Sequence, residues 1–97
     1  MNHPAKARIE RALPAGFQLE GASDVSTLLL TYSINERSFG YATLNMKTRS
    51  WALGANTRCT DHGIRLGIAA RGYQGRGWAE RLALDAADAL RRATERA

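Results

Sequence analysis

The stretch Ala70-Arg71-Gly72-Tyr73-Gln74-Gly75-Arg76-Gly77-Trp78-Ala79-Glu80-Arg81 decides the fold. Upstream of it, Ile64, Leu66 and Ile68 alternate with Arg65 and Gly67, the two-residue period of a strand with one buried face. Beyond Gly77 the period becomes 3.6. Trp78, Leu82, Ala86, Ala89, Leu90 and Ala93 fall on one stripe, and Ala79 and Ala83 widen it. Glu80, Arg81, Asp85, Asp88, Arg92 and Glu95 lie mostly away from that stripe, where Asp88 can pair with Arg92 and Arg91 with Glu95. Leu84 is the misfit, an apolar side chain directed off the stripe. Glu80 near the start and Arg91, Arg92 and Arg96 near the end agree with the helix dipole. The sequence therefore predicts strand, glycine-punctuated turn and amphipathic helix, in that order.

Working outward, Ser26 to Ile34 alternates Leu28, Leu30, Tyr32 and Ile34 with Thr27, Thr31 and Ser33, which predicts a strand. Asn35-Glu36-Arg37 supplies a turn, and Ser38 to Asn45 returns as a second strand. Lys47-Thr48-Arg49 is a further turn, followed by a strand over 49–53 that carries Trp51. Phe17 to Glu20 reads as another short strand, and Gly54 to Gly63 as irregular. At the N-terminus, Pro4 suits a first helical position with Asn2 or His3 as cap. That helix has Ile9, Ala12 and Leu13 on its apolar face and ends at Leu13, before Pro14. Short connections favour antiparallel pairing. The fold class is α+β in a single domain over 1–97: a short N-terminal helix, a mostly antiparallel meander of three to five strands, and a long C-terminal amphipathic helix packed on the sheet.

Composition bounds the function. The net charge is +5, and arginine, whose planar fork suits phosphate and carboxylate, supplies nearly all of the positive side. A basic balance of this size points toward an anionic partner, although an arginine- and alanine-rich composition is also what a GC-rich genome encodes. No apolar run approaches the eighteen or so residues that cross a bilayer, and the first residues carry no signal-type apolar stretch. A single cysteine, Cys59, excludes an internal disulfide framework. These features place the chain in the cytoplasm without a membrane partner. Cys59, Asp61 and His62 group three metal-binding side-chain types, but no second cluster at ligand spacing accompanies them. Cys59 with His62 as nucleophile and base fares no better, because sequence neighbours seldom meet in the needed geometry.

The chemistry of the chain concentrates in its closing turn. Three glycines permit positive φ and close approach of a ligand. The helix that starts there leaves unpaired N–H groups and a partial positive charge facing the turn. Arg71 and Arg76 add full charges. Such an assembly suits a pyrophosphate or a nucleic-acid backbone.

Gln74-Gly75-Arg76-Gly77-Trp78-Ala79 resembles the Q/R-x-x-G-x-G/A signature of GCN5-related N-acetyltransferases, in the same place between strand and helix. Upstream, Gly40-Tyr41-Ala42-Thr43-Leu44 is similar to an earlier strand of that family. The resemblance implies that Gln74, Gly75, Gly77 and Ala79 bind the pyrophosphate of acetyl-CoA or CoA, with Arg76 a supporting charge. No residue matches the family's tyrosine acid by motif, so the resemblance implies a binding loop and leaves catalysis unassigned. A second likeness is to double-stranded-RNA-binding domains, whose order of helix, meander and alanine-rich helix is similar to Gly75-Arg76-Gly77 followed by Ala83, Ala86, Ala87 and Ala89-Leu90. Where those domains carry a lysine cluster, this chain has Trp78-Ala79-Glu80-Arg81. A nucleic-acid reading would use Arg37, Lys47, Arg49 and Arg65 as contacts, with Trp51 and Trp78 able to stack on bases. A third reading is a protein-interaction or inhibitor module, or a homodimer, that uses the sheet face or the exposed Leu84.

Overall fold

His3 begins the turn before the first helix in the computed structural model, which describes residues 3–21, 25–35, 38–53 and 69–96. Its Nδ1 accepts the Ala5 N–H at 3.0 Å and its carbonyl accepts the Lys6 N–H at 3.0 Å. The N-cap is Ala5 rather than Asn2 or His3, and Pro4 stands in the turn that leads into α1 (Lys6–Ala12) rather than at its first position. Leu13 leaves the helical region with ψ 139°, as a residue before proline must. Ala5 and Ile9 are the buried residues of this N-terminal segment, whereas Ala12 is exposed. The apolar face expected from Ile9, Ala12 and Leu13 thus lies one turn nearer the N-terminus, because α1 meets the sheet and the second helix through that end.

Five strands follow: β1 (Phe17–Gly21), β2 (Thr27–Asn35), β3 (Ser38–Asn45), β4 (Ser50–Leu53) and β5 (Ala69–Arg71). They pair antiparallel throughout, in the order β1-β2-β3-β4-β5. The strand expected over 64–68 lies outside the described residues, and β5 begins where that expectation ended. Cross-strand register explains which side chains meet. Leu19, Leu30, Ala42 and Leu53 form one inward row; Leu28, Leu44, Trp51 and Ala70 form the next. The alternate residues, among them Gln18, Thr31, Tyr41, Thr43, Ser50 and Arg71, project from the opposite face.

The long helix α2 (Trp78–Arg96) lies across β2, β3 and β4 on the inward face, and α1 packs beside it, near β1. Its buried residues are Ala79, Leu82, Ala83, Ala86, Ala87, Leu90, Ala93 and Thr94. Trp78 and Ala89, expected on the stripe, are only partly buried. The stripe is rotated toward Ala87 and Thr94 because small side chains let the helix sit close to the leucine rows. Thr94 is tolerated there since its hydroxyl donates to the Leu90 carbonyl at 2.7 Å. On the outer side, Asp88 pairs with Arg91 and Arg92 at 3.0 Å each. Leu84 remains 40% exposed, directed away from the core. Among the described residues no helix is long and apolar enough to cross a membrane.

Leu44 is fully buried between Leu28 and Trp51 and beneath α2. Leu44→Ala is expected to lower the unfolding free energy by about 2–5 kcal/mol, read from the shift of the urea midpoint at constant slope.

Candidate functional site

The turn between β5 and α2 is held by Arg81, one turn inside the helix. Its Nη1 donates to the Arg76 carbonyl at 2.6 Å, and its Nη2 donates to the Gln74 carbonyl. Among the described residues no peptide bond is cis. A trans peptide points its C=O and the following N–H in opposite directions. Fixing those two carbonyls on Arg81 therefore turns the N–H groups of Gly75 and Gly77 to the other side of the turn.

Gly72, Gly75 and Gly77 adopt φ of 93°, 85° and 76°. At Gly77 the constraint is double: the conformation disfavours side chains, and a Cβ would stand 3.4 Å from Glu80 Oε2 and 3.5 Å from Arg81 Nη1. Gly77 caps the helix, its carbonyl accepting the Arg81 N–H at 3.1 Å, while the Trp78 N–H goes to the Gly75 carbonyl at 3.3 Å. The next two amides, of Ala79 and Glu80, have no acceptor within the helix and stand at its positive end.

Two further elements bring charge to this point. Asn45 Oδ1 accepts the N–H groups of Lys47 and Thr48 at 3.0 Å each and so shapes the β3–β4 turn. That turn places Arg49, at φ 54°, with its guanidinium 4.4 Å over the Trp78 ring. From α1 come Arg8 and Arg11, three residues apart and hence neighbours on the helix surface. Together Arg8, Arg11, Arg49 and Arg76 line an open hollow of ≈ 730 Å³ with Gly75, Gly77, Trp78, Ala79 and Glu80. Small-ligand sites commonly measure about 300–1,000 Å³.

Four guanidiniums thus face one carboxylate. Glu80 Oε1 lies 3.1 Å from Arg8 Nε, yet the N–H is not aligned with it as a hydrogen bond, and that buried oxygen has no other partner among the described residues. Arg11, Arg49 and Arg76 have no carboxylate within ion-pair distance among the described residues. The arrangement can hold an anion through arginine forks and backbone amides together.

Of the residues that the sequence singles out, Gly75, Arg76, Gly77 and Ala79 line this hollow, and Arg49 joins them from another turn. Gln74 is exposed, and its carbonyl belongs to Arg81. Arg71 projects from the opposite sheet face, in a separate depression of ≈ 460 Å³ with Thr43, Asn45, Ser50 and Ala52. Lys47 is exposed on the turn beside Arg49. Arg37, Arg65, Cys59 and His62 lie outside the described residues. Among those described, no group of three His, Cys, Asp or Glu side chains is placed to hold a metal ion. Sequence reasoning missed Arg8, Arg11 and Arg81. The i,i+3 spacing shows the first two to be neighbours on α1 but not that α1 meets the turn, whereas the place of Arg81 in the first turns of the helix was a usable signal.

A polar chain ties the turn to the core. Trp51 Nε1 donates to Tyr73 Oη at 2.9 Å, and Tyr73 Oη donates to Asp85 Oδ2 at 2.6 Å. Partial burial, and then the carboxylate that accepts its proton, raise the Tyr73 pKa above 10.0, against a smaller opposite effect of the Trp51 donor. Set against known protein families, curated proteins and solved structures, the chain matches none of them.

Because the folded pKa of Tyr73 is raised, the folded state holds this proton more tightly than the unfolded one. Its contribution is fully present below the unfolded value of 10.0 and is lost as pH rises through the folded value. Alkaline unfolding monitored by circular dichroism should therefore steepen as pH rises above 10.0, and Tyr73→Phe should flatten the profile. Arg81→Met should leave the sheet intact but release the turn, seen as amide exchange at residues 74–77 accelerated by about tenfold or more.

Proposed function

We propose that this protein is a small anion-binding module of the cytoplasm whose ligand carries a pyrophosphate, with CoA or acetyl-CoA the leading candidates. One observation carries the reading. The glycine turn that resembles the acetyltransferase loop, with its own Arg76, lies in the same nucleotide-sized hollow as three arginines drawn from two other stretches of chain. The amides of Gly75 and Gly77, turned away from Arg81, and the free amides at the start of α2 would take the phosphoryl oxygens. Arg76 and Arg49 would supply the counter-charge. The reading is one of binding, since no described side chain in the hollow pairs a nucleophile with a general base.

A second reading, contact with nucleic acid, is favoured by one feature. Lys47 sits beside Arg49 on the turn that reaches the hollow, so basic groups from α1, that turn and the start of α2 converge. Phosphate contacts of this kind would be independent of base sequence.

Thermal denaturation with CoA and acetyl-CoA distinguishes them. At tenfold excess over Kd either ligand should raise Tm by about 5 °C or more, and Gly77→Glu, which places a carboxylate in the turn, should abolish the shift. No shift at millimolar ligand removes the first reading. Retention on duplex DNA that falls steeply with salt, in the absence of any CoA effect, establishes the second.

A further inference from the structure

The arginines of the hollow come in two banks. Arg49 and Arg76 belong to the turns at the end of the sheet, and Arg8 and Arg11 to α1. The glycine turn alone would serve a pyrophosphate. The α1 bank adds two more guanidiniums, which stay charged at any pH a protein tolerates and fit phosphoryl oxygens two at a time. Between the banks stands Glu80, whose carboxylate leans toward Gly77 through Oε2 and meets Arg8 through Oε1. It acts as a resident anion. A ligand with one or two phosphoryl groups would compete with it for Arg8, feel its repulsion and engage fewer of the four guanidiniums. A longer anion reaches both banks, and the attraction of Arg11, Arg49 and Arg76, none of them paired with a carboxylate among the described residues, exceeds the repulsion of a single carboxylate. Arg8 is 60% exposed and Glu80 28%, so their ion pair is weak and open to displacement.

We infer that the hollow selects a linear polyphosphate, with three or more phosphoryl groups in series, over carboxylates, single phosphates and pyrophosphate. The inference rests on the reading of the hollow as an anion site. It assigns Arg11 as a specificity residue and Glu80 as a built-in competitor that sets the charge threshold.

Calorimetric titration of the full chain with inorganic phosphate, pyrophosphate, tripolyphosphate and citrate, at matched ionic strength, tests it. Tripolyphosphate should bind about tenfold tighter than pyrophosphate or citrate. Arg11→Gln changes an exposed side chain and should leave Tm unchanged. It should remove most of that preference, lowering tripolyphosphate affinity about fivefold or more beyond any loss for pyrophosphate. Glu80→Gln should raise pyrophosphate affinity about threefold and so narrow the gap. Equal affinity for pyrophosphate and tripolyphosphate in the unmodified chain overturns the inference, as does citrate binding as tightly as tripolyphosphate. Pyrophosphate binding that Arg76→Gln abolishes, with both other variants behaving like the unmodified chain, overturns it too but leaves the anion site standing. Failure of all four anions to bind removes the anion site as well. ATP and CoA, each titrated against bound tripolyphosphate, separate a nucleoside triphosphate from a CoA thioester as the natural source, and displacement by neither counts against the inference.

Discussion

The close seating of an alanine-rich helix face on rows of leucine is the constraint on which the rest of this molecule depends. Ala79, Ala83, Ala86 and Ala87 contribute little area each, so α2 gains its burial from proximity to Leu28, Leu30 and Leu44 more than from its own bulk. Proximity sets where the helix begins. Its first turn is brought to the edge of the sheet, and the chain from β5 has only 72–77 in which to reach it. The glycines of that turn are the local answer to a distance fixed by the core.

The same packing gathers charge. With both helices on one sheet face, α1 is laid beside the start of α2, and residues more than sixty positions apart in sequence share one hollow. Arginine is suited to that crowding, since its delocalised charge is less strongly hydrated than an ammonium and can lie on an aromatic ring, as Arg49 does on Trp78. Glu80 offsets part of the repulsion and favours the helix start through the dipole.

The architecture was largely legible in the sequence because its signals are periodic. Leu28, Leu30 and Tyr32 against Thr27, Thr31 and Ser33 show β2, and the change of period after Gly77 shows α2. The finer departures have tertiary causes. Ala12 is exposed and Ala87 buried because the orientation of a helix whose alanines extend beyond one narrow stripe is decided by its neighbour. Within the hollow, Gly75, Arg76, Gly77 and Ala79 were readable since they are contiguous. Arg8 and Arg11 were not, because nothing in a linear pattern brings α1 to α2. Arg71, adjacent to the turn in sequence, falls on the far face of the sheet by strand alternation alone.

The clamp that Arg81 places on the carbonyls of Gln74 and Arg76 has a consequence for entropy. A turn with three glycines in six residues samples a wide range of backbone conformations when free, and a guest that had to order it would lose affinity accordingly. Here the ordering is accomplished as the helix folds, by a side chain that belongs to the helix itself. Folding of the helix and ordering of the turn are therefore one event, and the flexibility that glycine brings to the sequence is removed as the helix forms.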